Sequence, residues 1–261
     1  MRLARALTAF LSVVGLSTAA LGVAAVARDG VAAASYRELA REVAAVDDRA
    51  GPSRSADDRD PQAGVDWGAL LAQNDEVCAW LRVDGTTVDV PVVAAEGDDP
   101  DAWLYTDLWG SPSETGVPYL DHRCDPEGRL MVVYGHRTAY ESYLFHDVSP
   151  LYEQGSLDAV GDATWQTPVS GTLTLAPLCA ASVAMDDGRW QRFTAADEKD
   201  LRAWLSWALE EADATRSDAA ACAGSAERAL VLVTCNGRAY HPETRTVAVF
   251  VAPGAGVDGD S

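Results

Sequence analysis

Apolar residues in this chain come mostly as short runs separated by Gly, Pro and Asp clusters, the pattern of short strands joined by tight turns. Val77 to Val93 reads as two strands around an Asp84-Gly85 hairpin turn. A further strand is expected over Val117 to Leu120, between a loop bracketed by Pro112 and Gly116 and the turn Asp125-Pro126-Glu127-Gly128. Leu130 to Tyr134 is an apolar strand that runs into Gly135-His136. Trp165 to Val169 and Thr172 to Cys179 form a second hairpin around Ser170-Gly171, and alternation in Thr172-Leu173-Thr174-Leu175 marks it as half-buried. Leu230-Val231-Leu232-Val233 leads into Thr234-Cys235, and Arg245 opens a last strand over Thr246 to Val251.

Helical periodicity is rarer. Tyr36, Leu39, Val43 and Val46 fall three and four apart, which predicts a short helix that packs on the domain. Asp66 is placed to cap a turn of helix whose Trp67, Leu70 and Leu71 face inward. Tyr143-Leu144-Phe145 reads as a short apolar helix face. Thr194 with Asp197 resembles a capping box, followed by Leu201, Trp204, Leu205, Ala208 and Leu209 at i, i+3, i+4, i+7 and i+8. Seven or eight short strands with few helices predict a mainly β domain closed into a barrel.

The ends of the chain differ from this body. An uncharged run from Ala6 to Ala27, with Arg2 and Arg5 before it and Arg28-Asp29 after, reaches about 33 Å at helical rise, enough for a hydrocarbon core of about 30 Å. The arginines favour a cytoplasmic N-terminus, so a single-pass anchor with the domain outside the cell is expected. A cleaved signal peptide is the competing reading, because Ala24-Ala25-Val26-Ala27 supplies small residues. The expected organisation is an anchor over 1–29, a juxtamembrane helix and polar linker over 30–65, a barrel over 66–253 and a tail over 254–261.

A formal net charge of −20 disfavours nucleic acid as a partner, since phosphate binding needs a basic face. The cysteines are Cys78, Cys124, Cys179, Cys222 and Cys235, with no CxxC pair, so neither a structural zinc site nor a redox motif is indicated. Outside the cell disulfides are permitted, and their pairing, or the absence of any, stays open. Of the four histidines, only His136 ends a strand, and no metal-binding spacing or other cofactor motif occurs.

Three strands thus each deliver one reactive group to a sheet edge: His136, Cys235 and Arg245. A thiol attacks carbonyls as thiolate, and a neighbouring cation favours that form. A guanidinium stabilises the oxyanion of a tetrahedral intermediate. An imidazole protonates a leaving amine and deprotonates an incoming one. Taken singly, each residue has a bland reading as a core thiol, a hydrogen-bonded histidine or a solvated arginine.

Tyr134-Gly135-His136, Thr234-Cys235 and Arg245 ten residues on resemble the three signatures of sortases, the cysteine transpeptidases of the Gram-positive surface. The resemblance extends from about Trp67 to Ala252. Asp75 to Leu81 with Val88 to Val93 resembles the first two strands of class B members. Trp103-Leu104-Tyr105 and Gly116 to Asp121 resemble the approach to their third strand and the strand itself. Ser142 to Phe145 resembles their short helix after the histidine, and the helix before the cysteine strand resembles a class B hallmark. The resemblance implies Cys235 as nucleophile, His136 as acid/base and Arg245 as oxyanion and substrate ligand, with substrate contacts at Leu104, Val233 and Thr234 and no cofactor. It also implies partners: surface proteins with a C-terminal sorting signal, and an amine of the cell wall or a pilin as acceptor. Val233 stands where serine is common in class B, and Gly237 where an acidic residue is common, so the sorting motif is not fixed by this sequence. A non-catalytic binding module on such a barrel, and a thiol endopeptidase that only hydrolyses, are the alternatives.

Overall fold

The computed structural model describes residues 30–43, 64–138, 143–236 and 243–253. The expected anchor, most of the linker and the tail lie outside the described residues. Among those described, no helix is long and apolar enough to cross a membrane.

Among the described residues, nine strands form one sheet: β1 (Val77–Val83), β2 (Asp89–Ala94), β3 (Tyr119–Leu120), β4 (Leu130–Tyr134), β5 (Ala163–Thr167), β6 (Gly171–Ala184), β7 (Ala214–Thr215), β8 (Ala226–Cys235) and β9 (Thr244–Pro253). Their order is β5-β1-β2-β3-β4-β8-β9-β6-β7, and β5 also pairs with β6. That extra pairing closes the first eight into a barrel and leaves β7 as an appended edge. Closure removes the free edges that an open sheet would expose. The barrel is mixed, because β2 with β3 and β4 with β8 run parallel while the other pairs are antiparallel.

Two apolar cores flank the wall. Met131 and Val133 of β4, Leu230 and Leu232 of β8, and Ala248 and Phe250 of β9 fill the interior. Leu130, Val132, Ala229, Val231, Val247, Val249 and Val251 point outward and are covered by two helices, residues Glu198–Glu211 and Ala219–Ser225. Strands buried on both faces carry no polar alternation, which is why these runs are continuously apolar.

The described part of α1, residues 30–42, packs on the barrel through buried Ala33, Tyr36, Leu39 and Ala40, Val43 is buried just past it, and Val46 of the expected set lies outside the described residues. Burying Leu39 and Val43 is worth roughly 1.5–3 kcal/mol each. Asp66 caps α2 (Trp67–Gln73), its carboxylate accepting from Ala69 N at 3.0 Å, with Leu70 buried. Short helices α3 (Gln154–Ala159) and α5 (Ala219–Ser225) flank α4 (Glu198–Glu211) along the chain.

Two local expectations are corrected. The N-cap lies three residues later than predicted: Asp197, not Thr194, caps α4, accepting from Asp200 N at 2.8 Å, while the Asp200 carboxylate accepts from Ala196 N, one residue before the cap, at 3.0 Å. Tyr143-Leu144-Phe145 is buried but not helical. Leu144 has φ 51°, and it bridges Arg137 as an antiparallel partner instead of starting a turn of helix.

Candidate active site

Side-chain alternation fixes which way each group points. On β8, Leu230 and Leu232 face the interior, and Thr234 continues that set at 2% exposure. Val231 and Val233 face outward, and Cys235 continues theirs. On β9 the same count sends Thr246, which is fully buried, inward and Arg245 outward with Val247 and Val249. Cys235 and Arg245 are direct partners across the β8–β9 ladder. Thiol and guanidinium therefore sit on the outer wall, on the side that α4 and α5 cover further along the strands. Both are only partly exposed.

His136 reaches this end from β4, which runs parallel to β8 with Tyr134 opposite Val233. Gly135 N donates to Val233 O at 3.2 Å, and Thr234 Oγ1 donates to Gly135 O at 2.8 Å. The residue before the cysteine is thus tied to the residue before the histidine. Gly135 has no room for a side chain, since a Cβ there would lie 2.8 Å from Phe145 Cδ2.

The imidazole of His136 is half-buried, with Nε2 3.1 Å from Leu104 O and Tyr105 edge-on at 6.2 Å between ring centroids. A carbonyl only accepts, so Nε2 carries the proton and Nδ1 is the basic nitrogen of the neutral ring. Burial lowers the histidine below its ordinary value, the Leu104 carbonyl opposes that, and the positive charge of Arg245 lowers it further. His136 is therefore neutral at neutral pH, and it lies within electrostatic reach of Arg245.

Arg245 is braced at the rim. Its guanidinium donates to Thr244 O at 3.0 Å and lies 3.0 Å from Met185 Sδ, an exposed thioether just past β6. Asn236, directly after the cysteine, donates through Nδ2 to Ser182 Oγ at 2.7 Å and accepts from Thr244 Oγ1 at 2.5 Å. It ties the tip of β8 to both β9 and β6. Met185 and Asn236 were not singled out from sequence. Neither lies in a recognisable motif, and their roles arise only from the register of β6 against β9.

The expected substrate contacts divide. Leu104 closes a 3-10 turn (Ala102–Leu104) and meets His136 through its carbonyl. Val233 is half-buried against the outer core. Thr234 is corrected: its side chain is buried inside the wall and bonded to Gly135, so it holds strands together and offers no face to a substrate. Gly237 lies outside the described residues. All five cysteines are free thiols. Burial pushes Cys78 and Cys179 up to about 12 and Cys124 up to about 11.

A mixed β-barrel closed by eight strands, with one appended edge strand, matches the sortase fold. Solved structures narrow this to class B. A Staphylococcus aureus sortase B–substrate complex matches at a TM-score of 0.67 and 16% identity, over 86% of this chain and 97% of that one. Clostridium perfringens sortase B matches at 0.61 and 21% identity, over 70% and 97%. A Streptococcus pyogenes class B sortase involved in pilus biogenesis matches at 0.56 and 18%, over 71% and 96%. No protein-family model matches the chain, and no curated protein matches it. The chain has a class B sortase-like fold.

Proposed function

We propose that this protein is a sortase-type cysteine transpeptidase, with Cys235 as nucleophile, His136 as acid/base and Arg245 as the oxyanion ligand. The observation that carries this reading is the cross-strand pairing of Cys235 with Arg245, with His136 in the field of the same guanidinium. Neutral His136 takes the thiol proton as sulfur attacks a peptide carbonyl. The oxyanion that forms is met by Arg245. The imidazolium then gives its proton to the leaving amine, and a thioester remains on Cys235. An acceptor amine attacks that thioester and loses a proton to His136, and the departing thiolate takes that proton back, which restores thiol and neutral imidazole and closes the cycle without a cofactor.

The substrates in this reading are surface proteins cleaved at a C-terminal sorting signal, and the acceptor is an amine of the cell wall or of a pilin. The uncharged run from Ala6 to Ala27 anchors the protein in the membrane with the barrel outside the cell. The similarity to class B sortase structures and the length of that run support this placement.

The test is mass spectrometry of wild type and Cys235→Ala after incubation with a library of sorting peptides, with and without an amine acceptor. A thioacyl adduct confined to Cys235, resolved faster by added amine, is the expected result. An adduct resolved only by water indicates an endopeptidase. Peptide binding with no adduct at Cys235 indicates a binding module and overturns the assignment.

A further inference from the structure

The carbonyl that orients His136 is itself held by a chain of contacts leading to the N-terminal helix. Leu104 O accepts from His136 Nε2 at 3.1 Å. The turn that carries Leu104 is clamped against Gly116. Val117 N donates to Trp103 O at 3.0 Å, and a Cβ on Gly116 would lie 2.3 Å from Trp103 O and 2.7 Å from Leu104 O. Gly116 also has φ +58°, a conformation that side chains resist. On its other side, Gly116 O accepts at 2.9 Å from the buried hydroxyl of Tyr36 on α1. The Tyr36 ring is packed between Trp109 and Tyr143, at 5.9 and 6.3 Å between centroids.

We propose that Tyr36 and Gly116 are positioning residues for His136, so that docking of α1 on the barrel sets the orientation and tautomer of the imidazole. The link is contiguous. Tyr36 fixes Gly116, Gly116 leaves just enough space for the Trp103–Leu104 backbone, and the Leu104 carbonyl selects the Nε2–H form. That form leaves Nδ1 as the nitrogen that exchanges protons. The catalytic meaning of this support rests on the transpeptidase reading above, whereas the support itself is a property of the ring and is measured without turnover.

The experiment compares wild type, Tyr36→Phe, Gly116→Ala and Gly110→Ala by nitrogen-detected NMR of the imidazoles across a pH titration. Gly110 is the control, because it lies in the same loop with φ +79° but a Cβ there would meet nothing within 4 Å. Its alanine variant bears the left-handed backbone strain without pressing on Leu104. Wild type and Gly110→Ala are expected to show an Nε2–H proton on His136 that is protected from solvent exchange. Gly116→Ala should lose that protection. Tyr36→Phe, which keeps the ring and removes only the hydroxyl, should weaken it and stay folded. Acylation of a sorting peptide should fall about tenfold in Gly116→Ala relative to Gly110→Ala, part of the 10²–10⁴ that a placed acid/base supplies. Unchanged His136 signals in both Tyr36→Phe and Gly116→Ala, or equal loss in Gly110→Ala, overturn the proposal. A protected Nε2–H that responds as described, in a wild type that never acylates, sinks the transpeptidase reading and leaves the positioning intact.

Discussion

The hydroxyl of Thr234 donates to the carbonyl of Gly135 at 2.8 Å, so the residues just before the cysteine and the histidine are joined by one buried bond. Strand pairing already places β4 beside β8, with Gly135 N bonded to Val233 O. The Thr234 bond extends that ladder by one step past its regular end. Without it, the tips bearing Cys235 and His136 would be free to splay.

Thr234→Val keeps the shape and deletes the donor. It leaves the Gly135 carbonyl with one partner fewer in a buried place, which costs about 1–3 kcal/mol. Urea unfolding should show that loss, and Thr234→Ser should recover most of it. A valine variant as stable as wild type would mean that the bond contributes nothing net.

Arg245→Ala removes the oxyanion ligand, a deletion worth about 10²–10³ in rate at comparable sites. Arg245→Lys keeps a charge but loses the planar fork and should recover only part of the rate. Because Arg245 is partly exposed at a strand end, unfolding free energy should change by no more than about 0.5 kcal/mol. Single-turnover acylation followed by mass spectrometry, beside thermal unfolding, separates the two effects. Equal rates in wild type and Arg245→Ala would remove Arg245 from the chemistry.

How much of this was legible in the sequence depends on what each feature leaves in one dimension. The amphipathic stripe of Leu201, Trp204, Leu205 and Ala208 faces the outer core as its period requires. The Asp84-Gly85 turn joins β1 to β2 as an antiparallel pair. The run Leu230 to Val233 is apolar on both faces, so sequence could place Cys235 at a strand end but not say which side of the wall its thiol occupies. Helix α5, over Ala219–Ser225, is built of small residues and carries no periodic signal. Leu104 acts on His136 through its backbone, and a carbonyl leaves no trace in residue type. The Tyr143 to Phe145 segment misled because three buried apolar residues fit a helix as well as the bridged loop that Leu144 forms.

The thiols should separate by reactivity. Cys179 is buried and pushed up to about 12, with Cys78 raised to about 12 and Cys124 to about 11 by burial of their sulfurs. At pH 8 a thiol at about 12 holds roughly a thousandfold less thiolate than an ordinary one. Iodoacetamide on the folded protein should therefore react slowly with these three, and the proposed nucleophile Cys235, at the partly exposed rim, should be modified first, as peptide mapping would show. Since no disulfide links the five, reductant should leave the melting temperature unchanged. A reductant-dependent shift would show that two of them pair.

His136 also gives the fold a pH dependence whose sign follows from its environment. Burial first, and the charge of Arg245 second, hold its folded value below the ordinary one of about 6.5, with the Leu104 carbonyl opposing them. The unfolded chain therefore takes up the proton before the folded one does. The stabilisation that His136 contributes is fully present above about pH 6.5 and is lost as pH falls from there through the folded value. A single group cannot contribute more than about 1.4 kcal/mol per pH unit. His136→Gln stays neutral throughout and should lack that slope. Urea unfolding of both proteins from pH 8 to pH 5 should give a difference that is flat at the alkaline end and bends below about 6.5, with wild type losing stability faster. A bend in the opposite direction would mean that the folded protein holds the proton more tightly than the unfolded chain, and the neutral imidazole on which thiol deprotonation depends would not be the resting form.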